Sequence, residues 1–136
     1  MSFKRTVCLD FDGVIHSYTS GWQGADVVSD GPVPGAIFAM YGYHLANFEI
    51  AVFSSRSNQF GGVAAMKSAI RNWSMDALRG ENTPNYLLSQ VEDFLNAIKY
   101  PTDKPAAWIT QDDRAVQFKG TFLTVEEIND FKPWYK

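Results

Sequence analysis

The sequence predicts an α/β fold, a doubly wound parallel sheet forming a single domain of 136 residues. Three observations predict it. Short, fully apolar runs alternate with stretches whose apolar residues recur every three or four positions, the pattern of buried parallel strands joined by helices. Such strands pair through right-handed crossovers that wind helices onto both faces of a sheet. The first three apolar runs end in polar clusters, and ligands of doubly wound sheets bind outside the carboxyl ends of the strands.

Taken in order, Thr6-Val7-Cys8-Leu9 is the first strand, partly β-branched and halted by Asp10. Cys8, the single cysteine, has no internal disulfide partner and reads as a core residue rather than a nucleophile. From Gly13 to Pro34 no helical period exists, and Gly21, Gly24, Gly31, Pro32 and Pro34 punctuate a flap-sized insertion with a small hairpin at Val27-Val28. Ile37, Met40, Tyr41, His44, Leu45 and Phe48 then mark one helix face, with His44 a packed core histidine. Ile50-Ala51-Val52-Phe53 is the second strand, ending in Ser54-Ser55-Arg56-Ser57-Asn58, and Val63, Met66, Ile70 and Trp73 give the next helix. Ser74 to Asn85 reads as irregular, with Gly80 and Pro84 as breakers. Leu87, Val91, Phe94, Leu95 and Ile98 form a third helical stripe, which Pro101 closes. Ala106-Ala107-Trp108-Ile109 is the third strand, ahead of Gln111-Asp112-Asp113, and Thr121-Phe122-Leu123 is the fourth. Thr124-Val125-Glu126-Glu127 spells a capping box that starts a short last helix.

Twelve Lys and Arg against fifteen Asp and Glu give a net charge of −3, and no basic run exceeds Lys4-Arg5. The electrostatic footprint of a general nucleic-acid binder is missing, although a phosphate can still be met locally. No apolar stretch approaches the roughly 18–20 residues that span a bilayer. Met1-Ser2-Phe3-Lys4-Arg5 does not lead into a secretory segment, because Asp10 and Asp12 interrupt the apolar run. The expectation is a cytoplasmic protein with no membrane partner.

Asp10-Phe11-Asp12 sets two carboxylates at the tip of a buried strand, where Gly13 permits a tight turn. Holding them there is costly unless a cation or a substrate uses them. A calcium loop also begins Asp-x-Asp, but Val14, Ile15 and Gly21 occupy positions that need an oxygen ligand, glycine and glutamate. Gly61 through Lys67-Ser68 nearly spells a phosphate-binding P-loop, yet Met66 replaces the second glycine, so Lys67 reads as a surface residue. Asp112-Asp113, added to Asp10 and Asp12, completes the oxygen-rich set that Mg²⁺ requires. Zinc is disfavoured because neither a usable cysteine nor a second histidine is near.

Leu9-Asp10-Phe11-Asp12-Gly13-Val14 resembles the first motif of the haloacid dehalogenase-like (HAD) phosphohydrolases, and Ala51-Val52-Phe53-Ser54-Ser55-Arg56 resembles the second. Gly31-Pro32-Val33-Pro34-Gly35-Ala36 is similar to the approach into the helix between them. Lys104-Pro105, Ile109 and Asp112-Asp113-Arg114-Ala115, with Phe118 and Gly120, resemble the third and fourth motifs. In two respects the chain departs from the family. Thr110 and Gln111 stand between the last apolar strand residue and the acidic pair, and the segments after the first two motifs are too short for a cap domain.

The resemblance implies that Asp10 is the nucleophile forming an aspartyl-phosphate and that Asp12 is the acid and base. It implies Mg²⁺ held by Asp10, the Asp12 carbonyl and Asp112 or Asp113. Ser54 and the Ser55 amide would bind phosphate oxygens, while Lys104 would offset the crowded carboxylates. Arg56, His16 and Trp22 are candidate substrate contacts. The expected activity is Mg²⁺-dependent phosphomonoester hydrolysis of a small substrate, with a nucleotide or nucleic-acid terminal phosphate favoured on account of Trp22 and Arg56. Phosphotransfer would use the same machinery. The rivals are an idle phosphate-binding module on the same fold and a receiver-like signalling domain. A receiver places its acidic pair first, whereas here Asp-x-Asp-Gly comes first.

Overall fold

A computed structural model of the chain describes residues 4–81 and 86–136; the breaker Pro84 and the leading Met1-Ser2-Phe3 lie outside them. The described residues form β1 (Thr6–Leu9), α1 (Ala36–Leu45), β2 (Glu49–Val52), α2 (Gly62–Arg79), α3 (Leu88–Ala97), β3 (Ile109–Gln111) and α4 (Val125–Asp130). The architecture is mixed α/β with a three-stranded parallel sheet in the order β2-β1-β3. Sheet growth therefore reverses at β1, whose carboxyl end carries Asp10. A single bridge pairs Lys99 with Ala51 on the outer side of β2. From there residues 100–108 return the chain across β1 to β3 without a helix, since Pro101 and Pro105 interrupt helical hydrogen bonding.

Val7, Leu9, Ile50 and Val52 of the sheet share one core with Ile37 and Met40 of α1, Met66 and Ile70 of α2, and Val91 and Phe94 of α3. The three helices contact one another, whereas α4 buries none of its residues. Cys8 is buried in β1, and half-buried His44 packs against Phe94 at a ring separation of 5.6 Å. No helix is long and apolar enough to cross a membrane among the described residues.

Several expected boundaries shift. The irregular stretch from Ser74 is helical to Arg79, because Ser74 and Leu78 continue the buried face begun by Met66 and Ile70. β2 starts one residue early, at Glu49, and ends at Val52. The third strand is Ile109–Gln111 rather than 106–109. Trp108 is held just outside it, its ring 4.0 Å from the Arg5 guanidinium and its N–H donating to the Thr6 carbonyl at 2.9 Å. Thr110 and Gln111 are thus strand residues opposite Cys8 and Leu9, and the acidic pair follows the strand directly. Residues 121–123 are exposed and form no strand, although Thr124 and Glu127 do make the capping box of α4. The hairpin at Val27-Val28 does not form; the 13–34 segment is irregular and crosses itself at an isolated bridge between His16 and Pro32.

Candidate active site

The polar clusters following β1, β2 and β3 meet at one edge of the sheet. A cleft of about 350 Å³ opens there, lined by Asp10, Asp12, Ser54, Ser55, Asp112 and Asp113 together with Tyr18, Trp22, Phe53 and Arg114. The parallel register aligns these strand ends: the Asp10 N–H donates to the Gln111 carbonyl at 3.0 Å, and the Phe53 N–H to the Leu9 carbonyl at 3.1 Å.

Asp10, Asp112 and Asp113 each present a carboxylate oxygen, all within 4.8 Å of one another. Burial, the hydrogen bond with Asp113 and the charges of Asp112 and Asp113 push the Asp10 carboxyl up to about 8. An all-oxygen trio so crowded is chemically suited to a hard divalent cation. Asp113 is also the best anchored of the acidic pair, with its side chain 4 % exposed and accepting from the Tyr135 hydroxyl at 2.7 Å. Asp112 caps the turn, accepting from the Arg114 N–H at 2.8 Å.

Asp12 stands apart from that trio. Its Oδ2 accepts from Arg56 Nε at 2.8 Å, and its Oδ1 from Arg56 NH2 at 3.0 Å and from His16 Nδ1 at 2.8 Å. Burial pushes the Asp12 carboxyl up, but the His16 hydrogen bond and the hydrogen bonds and charge of Arg56 outweigh it and hold the group below its ordinary value. The Asp30 N–H donates to His16 Nε2 at 3.1 Å, so Nε2 carries the lone pair and Nδ1 the proton. His16 in this arrangement is a neutral donor to Asp12. The Asp12 carboxylate, counted above with the oxygen-rich set, is therefore corrected out of it, because both oxygens are already engaged by cationic and neutral donors; the contact implied for the Asp12 carbonyl is untouched by this.

Arg56 is likewise corrected from a substrate contact to an internal tie. It is fully buried, and its NH1 donates to the carbonyls of Gly24, Ala25 and Val27 at 3.0, 3.0 and 2.6 Å. The irregular 13–34 segment lacks strand pairing, so its carbonyls need such a donor. Gly62 makes the approach feasible, since a Cβ there would lie 1.9 Å from the Arg56 carbonyl oxygen. Lys104 is exposed and is not among the residues that line the cleft. Ser54 is brought in: its Oγ accepts from the Arg56 N–H at 3.2 Å, which leaves its own proton to donate into the cleft. His16 is fully buried and cannot touch a ligand, whereas Trp22 remains 47 % exposed at the rim.

Tyr18, Arg114 and Tyr135 line this region without having been singled out. Arg114 adjoins the acidic pair, a signal in plain view. Tyr135 carries no local signal, because only the docking of Trp134, whose indole N–H donates to the Gly13 carbonyl at 2.7 Å, places it beside Asp113. No family model, curated protein or solved structure matches the chain.

Proposed function

We propose that the chain is a Mg²⁺-dependent phosphomonoester hydrolase of the HAD-like type, built on a reduced, three-stranded version of the doubly wound sheet. The observation carrying this reading is the meeting of Asp10, Asp112 and Asp113 at the reversal point of the sheet, with Ser54 on the neighbouring loop. Mg²⁺ bound by these carboxylates would neutralise them and the incoming phosphate.

The Asp10 carboxylate attacks phosphorus, the ester P–O bond breaks as the leaving oxygen takes a proton from Asp12, and an aspartyl-phosphate forms. Ser54 Oγ–H donates to a phosphate oxygen. In the second half-reaction the Asp12 carboxylate takes a proton from water as the water attacks phosphorus, which releases phosphate and restores Asp10. The contacts from Arg56 and His16 keep Asp12 in the ionised form that this step needs. To serve as acid in the first half, Asp12 has to shed them and gain a proton. One observation favours an idle phosphate-binding module instead: both Asp12 oxygens are already occupied.

Hydrolysis of a panel of phosphomonoesters with Mg²⁺, repeated with EDTA, tests the reading. Turnover should vanish on chelation and in Asp10→Asn, while Asp12→Asn should fold and lose about 10²–10⁴-fold in rate. Asp10→Asn turning over near the parental rate would sink the covalent mechanism, and a parent inactive on every ester with Mg²⁺ would favour the idle module. Cytoplasmic location belongs to the same proposal, as the setting in which a free Cys8 and small phosphorylated metabolites coexist.

A further inference from the structure

A second cleft of about 330 Å³ opens beside the acidic one, and the two share Tyr18, Trp22 and Arg114. Its remaining walls include Tyr135 and Lys136. Three aromatic rings and two cations therefore line a cleft that shares a wall with the carboxylate-lined one. Trp22 rests over the buried Arg56 guanidinium, 4.9 Å from the ring centroid, and stays 47 % exposed. Tyr18 and Tyr135 meet edge to face at 6.3 Å. Tyr18 holds a φ of 61°, a backbone state that a non-glycine residue adopts only when its surroundings enforce it. Arg114 reaches the Asp113 carboxylate only at 3.8 Å, and its side chain is 60 % exposed.

The geometry points to a base-binding subsite in this second cleft: the phosphomonoester is that of a nucleotide, free or at the end of a short single strand. Exposed aromatic faces take a flat base by stacking, and the nearby cations meet the anionic sugar-phosphate. A net charge of −3 with no basic run longer than Lys4-Arg5 leaves nothing to track a long backbone, so the ligand is short. This inference rests on the phosphatase reading only for placing the phosphate, and the two are separable by experiment.

The test compares kcat/KM for adenosine 5′-monophosphate, adenosine 3′-monophosphate, a single-stranded tetranucleotide with a terminal phosphate, and base-free ribose 5-phosphate, all with Mg²⁺. A stacked base is expected to favour the nucleotides by roughly 5- to 150-fold, and Trp22→Ala should erase most of that ratio while Trp22→Phe keeps much of it. The tetranucleotide arm separates the two sources: a strand end is the ligand if it outruns both free nucleotides, and a free nucleotide if it lags. A ratio near one in the parent, or a ratio untouched by Trp22→Ala, overturns the subsite. If no ester is hydrolysed, quenching of tryptophan fluorescence decides. Saturable quenching by adenosine monophosphate, absent with ribose 5-phosphate and in Trp22→Ala, upholds the subsite and leaves the phosphatase reading to fall alone; no base-dependent quenching overturns both.

Discussion

Arg56 shows what one buried side chain does when three parts of a molecule depend on it. Its five hydrogen bonds are divided between the Asp12 carboxylate, reached by Nε and NH2, and three flap carbonyls, reached by NH1, a planar fork that a lysine cannot reproduce. Arg56→Ala would leave Asp12 buried beside His16 alone and strip three carbonyls of their donor. Removing one member of a buried ion pair costs about 3–5 kcal/mol, so chemical denaturation should show a loss of that order, with Arg56→Lys between the two. A loss below about 1 kcal/mol would mean that water replaces Arg56 and that the flap does not hang on it.

Among the elements, α2 carries the clearest unmet cost. Ser74 lies on its buried face, and its hydroxyl has no hydrogen-bond partner. An unsatisfied buried polar group costs about 1–3 kcal/mol, and alanine is also the better helix former. Ser74→Ala should therefore raise stability by roughly 1–2 kcal/mol in a denaturant titration; an unchanged or lower midpoint would place a hidden partner on that hydroxyl. The same serine explains why the end of α2 was illegible in the sequence, since a polar residue on the core face breaks the apolar count used to trace a helix. β3 failed for the complementary reason. Thr110 and Gln111 form strand hydrogen bonds regardless of side-chain polarity, while the more apolar Trp108 is taken up by Arg5. β1, α1 and α3 were legible because their buried faces are unmixed. At the site, Asp10, Ser54, Asp112 and Asp113 could be read because each follows a strand, a relation local in sequence. The ties of Arg56 and Tyr135 could not, because their partners lie in segments without periodicity.

For the molecule as a whole, the crowded carboxylates govern how stability follows pH. With Asp10 raised to about 8 when no cation is bound, the folded state holds a proton between pH 4 and 8 that the unfolded chain has lost. Stability is thus fully present below the ordinary carboxylate range and is lost as pH rises towards 8. Asp12 is shifted downward, so its contribution is lost only at lower pH and leaves this window alone. Thermal unfolding in EDTA at several pH values should show melting temperature falling from pH 5 to 8, and Asp10→Asn should flatten the slope. An equal slope in that variant would assign the effect elsewhere. The carboxylates, the flap and the tail also converge on Gly13. Its N–H donates to the His16 carbonyl at 2.8 Å, its own carbonyl takes the Trp134 indole, and its φ is 83°. A Cβ there would lie 2.5 Å from an Asp113 oxygen and 2.7 Å from the Tyr135 ring. In a library of single substitutions scored for cellular abundance and for phosphate release, position 13 would be blank in both columns, whereas Gly31 and Gly42, with open space around them, would tolerate alanine in both.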